Sequence, residues 1–132
     1  MSNLCGRSVF FVKDAERSLQ HYTETLGFSL DWNHQEADRA FVFQVSLQGF
    51  QLILNQTEPW TEQRAGHGRA FIGVDDDQVD ELRQHITQYC IKTDTIHWGA
   101  PTLVIRDLDE NELFIWLPER ERAGLEANAA ET

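Results

Sequence analysis

Basic residues are scarce in this chain. Only 11 of its 132 residues are Lys or Arg, against 22 Asp or Glu, for a formal net charge of −11 at pH 7. Nucleic-acid phosphates and anionic membrane surfaces repel such a chain, so neither is an expected partner, and a neutral or cationic small molecule fits better. Most of the carboxylates read as a solvated surface. Cysteine is nearly absent as well. Cys5 and Cys90 form no C-x-x-C pair and have no evident histidine partner, which points to a reduced protein without cysteine-based nucleophilic chemistry. No apolar run approaches the ~20 residues that span a bilayer. The opening Met1-Ser-Asn-Leu-Cys-Gly6 lacks the basic and apolar regions of a signal peptide, so a cytoplasmic location is expected. A Gly-rich phosphate loop and an H-x-x-x-H pair on a helix are missing too.

What the chain does have is a doubling. The first copy opens Arg7-Ser-Val-Phe-Phe-Val-Lys-Asp14 and closes Gly49-Phe-Gln-Leu-Ile-Leu-Asn55. The second opens Arg69-Ala-Phe-Ile-Gly-Val-Asp-Asp76 and closes Asn111-Glu-Leu-Phe-Ile-Trp116. A period of roughly 60 residues marks a duplicated module. Neither half is large enough to be stable alone, so the two must share a core within one domain spanning 1–132, with modules at about 5–56 and 67–118 and a tail over 119–132. The tail has little to bury and reads as frayed or as a short exposed helix.

Within the first copy, Ser8, Phe10 and Val12 alternate with Arg7, Val9 and Phe11, the period-2 pattern of a strand with two partly apolar faces. Asp14 caps a helix whose Ala15, Leu19, Tyr22 and Leu26 share one face, and Gly27 stops it. Strands follow over Phe28–Trp32, Ala40–Leu47 and Phe50–Asn55, with a polar turn at Asn33–Asp38. Gln56–Gly68 reads as a linker. The second copy gives a strand over Ala70–Val74, a cap among Asp75, Asp76 and Asp77, and a helix with Val79, Leu82, Ile86 and Tyr89 on one face. A short strand at Lys92–Ile96, a loop at His97–Pro101, a strand at Thr102–Arg106, the turn Asp107–Asn111 and a last strand to Leu117 complete it. Each copy is βαβββ, an α+β unit whose helix covers one sheet face. Two such curved sheets, as half-barrels side by side, are expected to enclose a groove on the faces left free.

The run Val12-Lys-Asp-x-x-x-Ser18 with Tyr22-x-x-x-Leu26-Gly27-Phe28, and the later Trp98-Gly99 and Arg106-Asp-Leu-Asp-Glu-Asn111, resemble the vicinal oxygen chelate superfamily of glyoxalase I, extradiol dioxygenases, and fosfomycin and bleomycin resistance proteins. The resemblance covers about residues 5 to 118. It implies the glyoxalase/bleomycin resistance fold; the chemistry varies across the superfamily. Metal-dependent members place His, Glu or Gln at inward positions that correspond here to Arg7, Ile53, Arg69 and Phe114. A guanidinium stays protonated and has no lone pair to give, and Ile and Phe have no donor atom. The resemblance is therefore closest to the metal-free bleomycin-resistance branch, whose members are acidic dimers that sequester a large drug.

That resemblance implies a homodimer, with module exchange between chains left open, that needs no cofactor and holds a small organic, aromatic ligand. Four Trp and eight Phe suit such a groove. Alternation turns Phe11, Phe71, Phe114 and Trp116 inward, and Trp98 and Trp60 are candidate walls. Arg7 and Arg69 need a partner, either Glu112 or an anionic group of the ligand. Two rivals stay open. A strand shifted in register would bring His67, Glu112 and Gln51 together as a divalent-metal site for a glyoxalase-like lyase or dioxygenase. Alternatively, the domain is a structural or regulatory dimer with a filled core.

Overall fold

The computed structural model describes residues 4, 6–36 and 39–130. Cys5, residues 37–38 of the expected polar turn and the last two residues of the tail lie outside the described residues. The first module runs β1 (Ser8–Val12), α1 (Ala15–Gln20), β2 (Ser29–Glu36), β3 (Arg39–Leu47) and β4 (Phe50–Gln56). The second runs β5 (Arg69–Gly73), α2 (Val79–Gln88), β6 (Asp94–Trp98), β7 (Ala100–Arg106) and β8 (Glu112–Trp116), followed by α3 (Glu119–Ala130). Each builds a four-stranded sheet, in the orders β1-β4-β3-β2 and β5-β8-β7-β6. In both, the first strand pairs parallel with the last, and the other pairs are antiparallel. The doubling in sequence is thus a doubling of topology.

Alternation sorts the side chains as the sequence implies. Phe10 and Val12 of β1 and Leu52 and Leu54 of β4 are buried on the helix side, whereas Val9 and Phe11 line up with Ile53 and Asn55 on the free side. The first helix starts as expected, with the Asp14 carboxylate accepting from Arg17 N at 3.2 Å. It then widens into a π-helical turn over His21–Thr25, with Leu26 N donating to His21 O at 3.0 Å. The second helix has no aspartate cap. It begins after Gln78, whose Oε1 accepts from Asp75 N, and Asp75, Asp76 and Asp77 stay exposed.

Several expected boundaries move. β2 continues through the polar stretch to Glu36 because it pairs with β3 as far as Arg39, with register shifts at Leu30/Trp32 and His34/Gln35; pairing to a neighbour outweighs composition there. His97 and Trp98 belong to β6, since they pair with Pro101 and Ala100, which leaves Gly99 alone at the turn. The linker carries a 3₁₀ turn, Pro59–Arg64. The tail is more than an exposed helix: Leu125 packs on the core, Glu121 pairs with Arg83, and α3 lies against β7.

The modules are joined by a buried polar knot around the Asp107–Asn111 turn. Asp107 Oδ2 accepts from Tyr22 Oη and Asn111 Nδ2, each at 3.0 Å, and Oδ1 accepts from Asp109 N and Asn111 N, each at 2.9 Å. Asn111 Nδ2 also donates to Phe11 O at 3.1 Å, and its Oδ1 accepts from Gly68 N at 2.8 Å. A Cβ on Gly68 would lie 2.5 Å from the Phe10 ring, which is why the linker passes here through glycine. Burial pushes the Asp107 carboxyl above its ordinary value, against the hydrogen bonds from Asn111, Asp109 and Tyr22 that lower it. Burial, and then the nearby Asp107 charge, push the Tyr22 phenol up. Desolvation lowers the neighbouring His21 imidazole, with Asp107 opposing.

Candidate ligand-binding face

The free face of the second sheet is built by register. Arg69 and Phe71 of β5 stand beside Glu112 and Phe114 of β8, and Gly73 beside Trp116. Across β8, Phe114 faces Val104 and Glu112 faces Arg106; beyond them Asp94 faces Val104, and Trp98 lies at the β6 end. The aromatic residues are in contact. The Phe71 ring centroid is 5.8 Å from Trp98 and 5.7 Å from Trp116, and Trp98 meets Phe114 edge-on at 5.2 Å. Gly73, without a side chain, leaves the edge of this surface open. Phe71 is 54% exposed and Trp98 43%, whereas Phe114 is 1% exposed. Phe71 and Trp98 therefore present the surface and Phe114 is its floor.

Charges flank the rings in a closed row. Arg69 Nη2 donates to Glu112 Oε1 at 2.9 Å, Arg106 Nε donates to Glu112 Oε2 at 3.3 Å, and Arg106 also pairs with Asp94. The Arg69 guanidinium lies 4.2 Å from the Phe114 centroid and that of Arg122, from α3, 4.5 Å from Trp116. Two guanidinia and two carboxylates make the row neutral, and both Glu112 oxygens are engaged. Glu112 is the partner expected for Arg69 but not for Arg7. Arg106 and Asp94 were not singled out in sequence, although alternation back from the Asp107 turn turns Arg106 inward.

The free face of the first sheet is polar where the second is aromatic. Arg7 Nη1 donates to Gln44 Oε1 at 2.8 Å, Gln44 Nε2 donates to Asp31 Oδ2 at 2.8 Å, and Ser46 Oγ donates to Asp31 Oδ1 at 2.9 Å. Arg7 and Phe11 thus lie apart from the aromatic cluster, Phe11 with the Arg64 guanidinium 5.5 Å from its ring. Trp60, on the 3₁₀ turn and 74% exposed, takes no part in the ring contacts that build the cluster. The two modules also bound a cleft of about 470 Å³, but on the helix side of the second sheet, not between the free faces where a groove was expected.

The family model for the glyoxalase/bleomycin resistance protein/dioxygenase superfamily matches residues 5–113. The chain belongs to this superfamily. Among solved structures it is similar to a bleomycin-binding protein from Streptomyces verticillus complexed with copper(II)-bleomycin (21% identity, 90% of this chain and 100% of that one, TM-score 0.64). An antibiotic-binding protein from Streptomyces sp. CB03234 matches at 21% identity over 90% of this chain and 100% of that one, TM-score 0.57. A glyoxylase/bleomycin resistance protein/dioxygenase domain from Frankia sp. EAN1pec matches at 19% identity, 90% and 94% coverage, TM-score 0.58. These likenesses concern the fold. No curated protein matches the sequence.

Within this superfamily fold, the residues at the divalent-metal positions do not fit a metal. Arg7 is bonded to Gln44, Ile53 and Phe114 are hydrocarbon, and Arg69 is paired with Glu112. The displaced set fares no better. His67 is exposed in the linker, Gln51 sits opposite Ser46 on the first sheet, and Glu112 is held between two arginines on the second. No group of three or more His, Cys, Asp or Glu that would hold a metal occurs among the described residues.

Proposed function

We propose that this is a binding protein of the bleomycin-resistance type, a metal-free cytoplasmic homodimer that sequesters a planar aromatic molecule on the free face of its second sheet. The observation that carries this reading is the exposed pair Phe71 and Trp98, seated on Phe114 and flanked by Trp116. Stacking on such rings contributes about 0.5–1.5 kcal/mol per ring beyond the area buried. The Arg69–Glu112–Arg106–Asp94 row is neutral, so shape and planarity lead in selecting the ligand, and the Arg122 guanidinium over Trp116 adds a single positive charge beside the rings. Val9 and Trp32 on the free face of the first sheet are exposed as well. A second copy that covers these faces would enclose the ligand and remove apolar surface from water.

Titration calorimetry with phenazine and with the planar cation 9-aminoacridine tests the reading. Binding of both, with affinities within about tenfold of each other (1.4 kcal/mol), supports it; binding of neither sinks it. Stoichiometric zinc, nickel, manganese or iron retained through purification would overturn the metal-free part, and light scattering that finds a monomer at micromolar concentration would overturn the dimer.

A further inference from the structure

Beneath α2, on the side of the second sheet away from the aromatic face, the cleft of about 470 Å³ separates the modules. Leu26, Phe28 and Phe50 wall it from the first module; Ile72, Ile86 and Ile115 wall it from the second, and Phe71 on the edge strand borders both this cleft and the aromatic face. Its polar side chains are Gln48, Gln78 and His85, and among the described residues no Asp, Glu, Lys or Arg lines it, although charged residues make up 25% of the chain.

The space has a structural cause. α1 lies across β3 and β4, whereas α2 is drawn toward the other module. His85 Nε2 donates to the Leu26 carbonyl at 2.7 Å. The imidazole, 4.7 Å from the Tyr89 ring, sits so close to Gly27 that a Cβ there would be 2.5 Å from it. Gly27 has φ +74°, so glycine serves the turn and the close approach at once. α3 lies on β7.

We infer that this cleft is a second ligand site, on the opposite side of the second sheet from Trp98 and bordered by Phe71 of the aromatic face, for a compact, uncharged, hydrophobic molecule. Its volume lies in the range of roughly 300–1,000 Å³ typical of small-molecule sites, and an apolar wall with a few polar groups is their usual chemistry. A charged ligand would lose hydration with no ionised partner in return. A peptide segment would bring backbone N–H and C=O groups that two glutamines and one histidine are too few to satisfy. A neutral hydrocarbon-rich molecule is the occupant left.

The neutral fluorophore N-phenyl-1-naphthylamine tests this. No tryptophan lines the cleft, so the probe's own emission is the readout. The expected result is a saturable rise at one probe per chain, unchanged in Trp98→Ala and reduced at least tenfold in affinity in Ile86→Trp. Gln78→Trp, which narrows the mouth from an exposed position, is expected to weaken binding as well and guards against misfolding of the core variant. No rise with the wild-type chain, which would mean that a second copy or another segment closes the cleft, overturns the inference. So does a rise lost in Trp98→Ala, or one unaffected by both filling variants. Because phenazine binding at the aromatic face is expected to fail in Trp98→Ala while probe binding persists, the two sites fail independently.

Discussion

In the first module the free sheet face is tied together by the buried amide of Gln44, which bridges Arg7 and Asp31. In the second the same face carries a ring cluster beside one linked row of arginines and carboxylates. The helix sides differ too: α1 lies over its own sheet, while α2 leaves a cleft. The β3–β4 connection is the two-residue turn Gln48–Gly49, whereas its counterpart in the second module is the five-residue Asp107–Asn111 knot. One topology therefore carries one free face tied together by polar side chains and one that presents exposed rings. The division rests on which side chains occupy matching positions, since the strand order is common to both.

Substitutions at matching places sharpen that contrast. The largest effect is expected at the two turns. Asn111→Ala removes three side-chain hydrogen bonds and leaves Phe11 O, Gly68 N and Asp107 Oδ2 each short of a partner. A loss of about 3 kcal/mol or more is expected in denaturant unfolding. Gln48→Ala in the first module's turn should stay within about 0.5 kcal/mol. Equal effects would erase the distinction between the turns.

Next come two glycines at the same φ of +74°. Gly27→Ala drives a Cβ into His85, whereas Gly99→Ala meets nothing within 4 Å. Gly99→Ala carries only the left-handed penalty of about 1–2 kcal/mol. Gly27→Ala is expected to lower the melting temperature clearly further, because α2 must also shift.

The third contrast is between Trp98 and Trp32, 43% and 40% exposed on the two free faces. Trp98→Ala should weaken phenazine binding at least tenfold, about 1.4 kcal/mol, and Trp32→Ala less than about threefold, by calorimetry. The reverse order would move the site to the first module.

The smallest effect concerns pH. Burial raises Asp107 in the folded state above its unfolded value, so its contribution is fully present below the ordinary carboxylate range and is lost as pH rises through the raised folded value. His21 is lowered by burial, so its contribution is present above the ordinary imidazole range and is lost as pH falls through the lowered folded value. Thermal melts across this span should show the acid-side gain diminished in Asp107→Asn and the loss below neutrality diminished in His21→Gln. Unchanged profiles in both variants would remove these two groups from the account.

Period-2 alternation made the faces legible: Phe11, Phe71, Phe114 and Trp116 lie on the free sides, and Arg69 meets Glu112 as its charge required. Depth within a face was not legible. Phe114 is a floor because Arg69 and Trp98 cover it, a matter of neighbouring strands and not of its own position. Arg7 found an amide because a register shift in β2, next to Asp31, brings that carboxylate toward Gln44, and such shifts leave little trace in composition. Tyr22 read as one more apolar helix residue, yet its hydroxyl reaches across 85 positions of sequence to Asp107. The cleft under α2 escaped for the same reason: the contact that holds it open joins His85 to Leu26 across the module boundary.

Binding of the aromatic ligand on the second module's free face would be reported directly by the four indole N–H signals of this chain. In a nitrogen-15 NMR titration with phenazine, Trp98 and Trp116 are expected to shift together along one saturable curve while Trp32 and Trp60 stay in place. Shifts confined to Trp32 or Trp60, or no shift in any of the four, would contradict it.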